Sequence, residues 1–271
     1  MKTAKFTFIA LGLAAVLSGC SAQHSAKHEE AVVQNQAALG ILWMQQSGEY
    51  QALAYQAFNA ALSEFERSKA AKGKKKAVVV DLDETMMDNS PYAAWQVKNN
   101  MPFEAETWTQ WVNARQTLAI PGAVEFANRV NAKGGTVFYV SNRRDDVERS
   151  ATIEDMQKLG FPKVNDKTLL LKKQTSNKAE RFKQITAQGY DIVVYVGDNL
   201  NDFGEATYRK SNRERRDFVA ANRTRFGSKF ILLPNPNYGD WEGGLHKDYY
   251  KGGAKNKLEI RKATLKAWDG K

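Results

Sequence analysis

The sequence predicts an α/β fold with a five-stranded parallel sheet and a smaller, all-helical accessory domain. Two observations lead to this prediction. Short β-branched segments alternate with amphipathic segments of helical length, and small polar or acidic residues follow several of the β-branched segments. Parallel neighbours need crossover helices, which cover both faces of the sheet. The predicted strands span residues 77–82, 135–142, 168–172, 191–196 and 229–233.

Helical periodicity places helices between these strands and at both ends of the chain. Residues 30–70 have a helical pattern that Gly48 divides into two helices. Residues 88–120 are rich in aromatic residues and contain prolines, so we expect a helical insertion beside the site at the end of the sheet. The other predicted helices span residues 122–133, 145–159, 177–188 and 257–268.

The first 20 residues have the pattern of a bacterial lipoprotein signal peptide. Two lysines precede an apolar run from residue 6 to 17, and Leu17-Ser18-Gly19-Cys20 resembles a lipobox, in which the cysteine is lipidated. A short transmembrane helix is the alternative, but the run is too short to span a bilayer comfortably. Ser21 rather than an aspartate follows the cysteine, which by resemblance favours the outer membrane over the inner membrane. The sequence does not indicate which face of the outer membrane the protein occupies.

These signals divide the chain into five parts. A flexible polar tether follows the signal peptide and leads into a helical accessory segment. An α/β core comes next, with the aromatic insertion at about 88–120, and a segment with one helix closes the chain. The ranges are 1–19 for the signal peptide, 20–29 for the tether, 30–73 for the accessory segment, 74–240 for the core and 241–271 for the C-terminal segment.

The chain is basic, with a formal net charge of +10 and a pI of about 9.5. This balance favours an anionic partner. The lysines are spread along the chain and we find no known nucleic-acid motif, so we expect a phosphate ester or an anionic lipid rather than a nucleic acid polymer. Cys20 is the only cysteine, which excludes an intrachain disulfide.

Asp81 and Asp83 follow the first predicted strand and are separated by Leu82. Side chains alternate along a strand, so the two carboxylates point to the same side. Adjacent carboxylates are costly unless a cation or a shared proton relieves their repulsion. The alternative is a pair of solvated loop aspartates that cap a helix.

Polar residues also follow two other predicted strands, and ligands bind beyond the carboxyl ends of parallel strands. We therefore expect several acids, a serine and a lysine to converge there. Oxygen ligands of this kind favour Mg²⁺, and zinc is disfavoured because only His246 lies near the fold. Lys172 and Lys173 compete for the role of the lysine. The residues expected at this edge are Asp81, Asp83, Ser141, Asn142, Lys178, Asp198 and Asp202.

Asp81-Leu82-Asp83-Glu84-Thr85, together with Ser141, Lys178 and Gly197-Asp198-Asn199-Leu200-Asn201-Asp202, resembles the four-motif set of the haloacid dehalogenase (HAD) superfamily of phosphatases. With Asn89 and Tyr92 after the first motif and Phe203 at the end of the last, the resemblance narrows to the class C bacterial nonspecific acid phosphatases. Many of these are outer-membrane lipoproteins of the "lipoprotein e" type. It covers essentially the whole mature chain. It implies a HAD-like Rossmannoid core and an acid phosphatase or 5′-nucleotidase that uses Mg²⁺.

The resemblance also implies a role for each matching residue. Asp81 is the nucleophile that forms an aspartyl-phosphate, and Asp83 acts first as acid and then as base. The implied metal ligands are the carboxylates of Asp81 and Asp198 and the main-chain carbonyl of Asp83, with Asp202 behind them. The implied phosphate-binding residues are Ser141, Asn142 and Lys178.

These roles predict an enzyme of the cell envelope that hydrolyses small phosphomonoesters: 5′-nucleotides, nicotinamide mononucleotide and aryl phosphates. Trp108 and Tyr238 match positions that stack on the leaving group in the family, and core packing is the equal alternative for both. Core packing is the prediction for the remaining aromatic residues near the site. These remaining residues are Tyr92, Trp95, Trp111 and Trp241. The family also suggests a homodimer.

Two other functions fit parts of the sequence. One is a ligand-binding outer-membrane lipoprotein, for instance for haem, with a vestigial phosphatase site. The chain has no Cys-x-x-Cys-His motif and only three histidines, and a pure binder would not need both Asp81 and Asp83. The other is phosphoryl transfer to a second alcohol, which the same residues would serve.

Overall fold

The structure is a computed structural model of the chain and describes residues 25–270. The strands in chain order are β1 (Lys75–Val80), β2 (Met87–Asp88), β3 (Leu118–Ala119), β4 (Thr136–Arg144), β5 (Leu169–Lys172), β6 (Tyr190–Gly197) and β7 (Phe230–Leu232). Five of them form a parallel sheet in the order β5-β4-β1-β6-β7, and β2 pairs antiparallel with β3. The predicted α/β fold class with a five-stranded parallel sheet is confirmed.

Helices connect the strands and cover the sheet. Residues 25–35 are helical and are called α1. The others are α2 (Ala38–Gln46), α3 (Gly48–Arg67), α4 (Ser90–Asn99), α5 (Ala105–Ala114), α6 (Ala123–Ala132), α7 (Arg149–Lys158), α8 (Ala179–Ala187), α9 (Asn212–Ala221), α10 (Asp240–Gly243) and α11 (Gly253–Thr264), with short 3₁₀ turns at Leu200–Phe203 and Arg223–Arg225.

The central strand β1 aligns the functional end of the sheet. Val80, its last residue, pairs with Tyr139 of β4 on one side and with Val196 of β6 on the other. Because all three strands run in the same direction, the residues that follow them emerge at the same edge. The register of the sheet therefore brings residues that are more than 100 positions apart in sequence to one place.

The sheet has an apolar core on each face. Val78 and Val80 of β1 point to one face, where they join a cluster with residues of α3, α6 and α7. Val79 points to the other face and packs in a smaller cluster with Phe182 and Ile185 of α8. The alternation of side chains along β1 explains why its whole run is apolar, since both faces are covered.

Helix α3 belongs to the core of the sheet, which corrects the predicted boundary of the accessory segment 30–73. Its buried side chains, among them Ala54, Phe58 and Phe65, lie in the same apolar cluster as β1. The long apolar stripe of this helix needs a large partner surface, and the open face of the sheet provides it. Helix α2 also reaches this cluster through Met44 and packs against α4, whereas α1, α4 and α5 contribute no side chain to either apolar cluster of the described residues.

The predicted tether, residues 20–29, overlaps the helix α1, so the described residues from 25 onward are not an extended linker. Tertiary contacts hold the end of this helix. Val33 is buried, and Arg261 of α11 donates hydrogen bonds to the Gln36 side chain at 2.6 Å and to the Val33 carbonyl at 3.5 Å. These contacts favour a helix where the polar composition alone indicated a flexible segment.

Strand β4 is longer than predicted and ends at Arg144 rather than at residue 142. The helix that follows begins at Arg149, four residues later than predicted, because a turn intervenes. Glu148 stabilises this turn by accepting the Arg144 N–H at 2.6 Å and the Thr109 hydroxyl at 2.7 Å. The extension places Arg143 on the strand, where it is fully buried.

Within residues 25–270, every helix is too short or too polar to cross a bilayer. Cys20 and the predicted signal peptide lie outside the described residues. Lipidation and membrane anchoring therefore stay predictions.

Candidate functional site

Three carboxylates meet at the carboxyl edge of the sheet. Asp81 directly follows β1, Asp198 directly follows β6, and Asp202 lies in the 3₁₀ turn after β6. Each offers an oxygen within 4.8 Å of the others, and we call these three residues the acid cluster. The Asp81 N–H donates to the Val196 carbonyl at 2.9 Å, which continues the β1–β6 pairing into the site. The predicted convergence of acids from two strands is thus present in the structure.

Lys178 is the cation of the acid cluster. It lies at the N-cap of α8 and is almost fully buried. Its Nζ is 2.5 Å from Asp81 Oδ1 and 2.7 Å from Asp202 Oδ1. Lys173, one of its two competitors in the sequence, instead lies 4.0 Å from Asp145 with an exposed side chain. The geometry therefore favours Lys178 for the role that the sequence left open.

The acid cluster has an excess of negative charge. Burial raises the pKa of Asp81 well above its usual range, with Lys178 opposing the rise and Asp202 adding to it. Burial and repulsion by Asp202 raise the pKa of Asp198 to about 7. Asp202 is buried and Asp81 and Asp198 are partly buried, so these three carboxylates against one ammonium group need a further positive charge or a proton. Carboxylate oxygens in this arrangement fit a hard divalent cation such as Mg²⁺.

Gly197 sets the position of Asp202. A Cβ atom at residue 197 would lie 2.3 Å from the Asp202 side chain, so only glycine allows the two to approach this closely. Asn199 and Asp202 form a capping box, in which Asp202 Oδ2 accepts the Asn199 N–H at 2.9 Å. Both oxygens of Asp202 are thus engaged, one by Asn199 and one by Lys178. This agrees with the predicted place of Asp202 behind the metal ligands.

The Asp83 carboxylate belongs to a second network beside the acid cluster. Its Oδ1 accepts from Arg143 Nε at 2.9 Å and from Asn89 Nδ2 at 3.0 Å, and its Oδ2 accepts the Ser141 hydroxyl at 3.2 Å. Arg143 was missed in the sequence analysis. The sequence feature that could have revealed Arg143 is its position two residues after Ser141. Side chains alternate along a strand, so Ser141 and Arg143 of β4 point to the same side.

Ser141 and Asn142 differ in their surroundings. Ser141 is buried, and its hydroxyl accepts the Arg143 N–H at 3.0 Å while donating to Asp83. The Asn142 side chain accepts from Arg181 Nη2 at 2.7 Å, and Nη1 of the same guanidinium reaches the Ser141 carbonyl at 2.5 Å. Burial lowers the pKa of Arg181 to about 10. Arg181, which the sequence analysis also missed, fixes the end of β4 from α8.

The insertion brings aromatic side chains to the second network. Trp111 Nε1 donates to Asn89 Oδ1 at 2.8 Å. Trp108 packs edge-on against Tyr92 at 5.3 Å between ring centroids, and the Arg143 guanidinium lies 5.8 Å from a Trp108 ring. Core packing therefore describes Tyr92, which is buried, whereas Trp108 and Trp111 are partly exposed and contact residues of the site. Trp95 and Trp241 are more exposed than core packing predicts, at 39% and 40%.

Glu84 connects the β1 loop to the segment after β7. It is buried, and its backbone has a positive φ of 57°. One carboxylate oxygen accepts the Asn89 N–H at 2.9 Å, and the other accepts the Tyr238 hydroxyl. Burial, with repulsion by Asp83 and Asp198, raises the pKa of Glu84 well above its usual range. We call Trp108, Trp111 and Tyr238 the aromatic rim of the site.

Comparison with known proteins identifies the family. The family model that describes HAD superfamily, subfamily IIIB (acid phosphatase) matches residues 5–241 of the sequence. The structure of the class C acid phosphatase from Bacillus anthracis is similar, with a TM-score of 0.82 and 36% identity over 88% of this chain and 99% of that chain. The same enzyme with tungstate bound gives a TM-score of 0.80 and 35% identity over 87% and 99%.

Curated relatives match more weakly. Acid phosphatase 1 of Solanum lycopersicum is 27% identical over 130 residues, which are 46% of this chain and 50% of that protein. A stem 31 kDa glycoprotein of Glycine max is 25% identical over 129 residues, with shares of 46% and 50%. The chain spans about half the length of these two relatives. The family match, in contrast, runs through every strand of the sheet and every residue of the acid cluster, and the chain therefore belongs to subfamily IIIB of the HAD superfamily, the acid phosphatases.

Proposed function

We propose that the protein is an acid phosphatase that hydrolyses small phosphomonoesters, including 5′-nucleotides and aryl phosphates. The observation that carries the proposal is the convergence of Asp81, Asp198 and Lys178 at the carboxyl edge of the sheet. Family membership supports the reaction class. Neither alone would suffice, because one fold can host many chemistries and an acid cluster can be structural.

Asp81 is the nucleophile of the proposed reaction. One of its carboxylate oxygens attacks phosphorus, and the bond from phosphorus to the ester oxygen breaks with its electron pair on that oxygen. Asp83 gives its proton to the leaving oxygen, which departs as an alcohol. The products of this step are the free alcohol and an aspartyl-phosphate on Asp81.

Asp83 then acts in the opposite direction. It takes a proton from a water molecule, whose oxygen attacks phosphorus and displaces the Asp81 carboxylate. Inorganic phosphate leaves and Asp83 is protonated again, so the cycle closes without a further reactant. Arg143, Asn89 and Ser141 hold the Asp83 carboxylate in one orientation for both steps.

The acid cluster would hold the cation of the reaction. Asp81 and Asp198 are the proposed ligands, together with the main-chain carbonyl of Asp83, and Asp202 would orient them. When bound, Mg²⁺ would supply positive charge that screens the repulsion between Asp81 and the phosphate dianion. Lys178 lies on the acid cluster, where its charge would bind a phosphoryl oxygen, and Ser141 is the proposed hydroxyl donor.

The aromatic rim supports the proposed substrate class. Tyr238 donates to Glu84, which follows Asp83 in the chain. Trp108 lies near Arg143, which donates to the Asp83 carboxylate. Their partly exposed rings offer faces on which an aryl group or a nucleoside, such as that of nicotinamide mononucleotide, would stack. The net charge of +10 favours the approach of anionic substrates.

We further propose that the enzyme acts in the cell envelope, anchored by a lipid on Cys20. This part rests on the pattern of residues 1–20, which lie outside the described residues. A nucleotide crosses membranes poorly because of its charge, so an enzyme outside the inner membrane would release the nucleoside for uptake. Radiolabelled palmitate incorporation into the wild type but not into Cys20→Ala would support the anchor, and equal labelling would contradict it.

The test of the reaction is phosphate release from a nucleoside 5′-monophosphate at acid pH, with Mg²⁺ and with EDTA. We expect activity to require the metal and to fall by about 10⁴-fold or more in Asp81→Asn, because the nucleophile is lost. Asp146→Asn, a surface aspartate with 68% side-chain exposure, is the matched control and should keep full activity. If the wild type hydrolyses no monoester, or if Asp81→Asn stays active, the proposed function is wrong.

A further inference from the structure

Glu84 is a buried acid for which the proposed mechanism has no use. It lies next to Asp83, yet no lysine or arginine of residues 25–270 forms an ion pair with it, whereas Lys178 and Arg143 pair with other acids. A buried carboxylic group without a cationic partner is costly. We therefore infer the role of Glu84 from the two hydrogen bonds that its carboxylate accepts.

The backbone of Glu84 is also in an unfavourable conformation. A non-glycine residue with φ of 57° is disfavoured relative to the ordinary right-handed region, because its Cβ comes too close to the following carbonyl oxygen. The turn around it is closed by two hydrogen bonds, from the Glu84 N–H to the Met87 carbonyl at 2.9 Å and from the Met86 N–H to the Leu82 carbonyl at 2.8 Å. Backbone strain of this kind persists where the surroundings over-determine it and is concentrated at functional sites.

The two oxygens of Glu84 join two separate parts of the site. One accepts the Asn89 N–H at the start of α4, which fixes the carboxylate to the insertion. The other accepts the hydroxyl of Tyr238, from the segment that follows β7. A single carboxylate therefore links the loop after β1 to a residue more than 150 positions away in sequence.

Tyr238 has a hydroxyl group held by Glu84 and a side chain that is exposed to solvent. The residue is 42% exposed, although its hydroxyl donates to the buried carboxylate of Glu84. Its backbone is held as well, because Asn235 Oδ1 accepts the Tyr238 N–H at 3.4 Å while Asn235 Nδ2 donates to Asp198 at 2.8 Å. With both its hydroxyl and its loop fixed, the exposed ring has little freedom to rotate away.

We propose that Glu84 is a positioning residue that holds the Tyr238 ring as a preorganised face for the leaving group, and so sets the preference for phosphomonoesters of aromatic or nucleoside alcohols over those of small aliphatic alcohols. The inference rests on the proposed phosphatase function and deepens it. A ring that is already fixed binds an aromatic group without the entropy cost of being ordered at that moment.

The experiment compares kcat and KM for adenosine 5′-monophosphate and for ethyl phosphate in Glu84→Gln, Tyr238→Phe and the double variant. Glu84→Gln keeps the size of the side chain, and Tyr238→Phe keeps the ring and removes only the hydroxyl. Each single variant should lower the ratio of kcat/KM for the nucleotide to that for ethyl phosphate by about three- to tenfold, mainly through KM. The double variant should show the same ratio as the singles, because both changes break one contact.

Tyr55→Phe is the matched control, since Tyr55 on α3 has a similar exposure of 44% and should leave the ratio unchanged. An unaltered ratio in Tyr238→Phe, or equal losses for both substrates, would overturn the inference. Additive losses in the double variant would do so too. Hydrolysis of either phosphomonoester by the wild type tests the proposed function separately. If Glu84→Gln does not fold, Tyr238→Phe alone still decides, because its ring is at the surface.

Discussion

The acid cluster and the aromatic rim lie at the same end of the sheet but are built in different ways. Asp81 and Asp198 each come directly after a strand, so the sheet itself places them. The rim comes from an insertion and from a loop, and side-chain hydrogen bonds to Asn89 and Glu84 place it. We infer that the chemistry depends on the sheet, whereas substrate preference depends on long-range side-chain contacts.

Arg143 lies between the two regions, since it pairs with Asp83, whose network is beside the acid cluster, and lies near Trp108 of the aromatic rim. Arg143→Met should lower the free energy of unfolding by about 3–5 kcal/mol, because it leaves the Asp83 carboxylate without its buried cation. Urea denaturation measures the change. Arg144→Met, which removes an exposed neighbour paired with Asp146, should cost less than about 1 kcal/mol. Equal costs would show that the buried Arg143–Asp83 pair contributes no more to stability than the exposed pair.

Lys178 tests the acid cluster alone. Lys178→Ala should reduce kcat/KM about 10²–10³-fold for nucleotide and ethyl phosphate alike, because the lost charge acts on the phosphoryl group that both share. Steady-state kinetics on the two substrates measures this. Lys173→Ala, with an exposed side chain, should change either value less than about twofold. A loss confined to the nucleotide would place Lys178 in the aromatic rim instead.

Gly197 tests how closely the backbone determines the acid cluster. Gly197→Ala should displace Asp202 and lower the free energy of unfolding by about 1–3 kcal/mol, because the added methyl group overlaps that side chain. Thermal and urea unfolding measure the cost, and activity should fall with it. Gly48→Ala is the control, because no atom lies within 4 Å of its added carbon and the helix tolerates alanine. A stable, active Gly197→Ala would refute the close approach.

Mg²⁺ should stabilise the protein more at pH 8 than at pH 5. The pKa of Asp198, raised to about 7, keeps its carboxyl protonated at pH 5, so the cation competes with a proton there. In the metal-free protein the same shift costs stability as the pH rises from about 4 to about 7, because the folded state holds the proton more tightly. We expect a melting temperature gain of about 2–4 °C with Mg²⁺ at pH 8 and a smaller one at pH 5.

Differential scanning fluorimetry at both pH values, with and without Mg²⁺, measures this gain. Asp198→Asn should abolish the pH dependence of the gain, whereas Asp146→Asn at the surface should preserve it. A larger gain at pH 5 would contradict the raised pKa of Asp198. It would also indicate that the cation is held elsewhere than in the acid cluster.

Much of the site could be predicted because its residues follow strands. Val78 to Val80 form an apolar run that must be buried, and a parallel sheet brings the residue after β1 beside the residue after β6. Asp81 and Asp198 are therefore predictable from periodicity and topology, whereas Ser141 lies on β4 itself. The same reasoning could not choose between Lys178 and Lys173, because both lie in the connection before α8 and only packing buries one of them.

The sequence by itself determined the sheet, its acid-bearing edge and the family, because these depend on local periodicity and on motifs that are contiguous in the chain. Only the tertiary structure decided that α3 covers the sheet, that Arg143 pairs with Asp83 and that Glu84 holds Tyr238. Each of these depends on side chains from distant segments that meet when the helices pack. Such contacts leave no periodic signal in the chain, since their energy arises only after burial has brought the partners together.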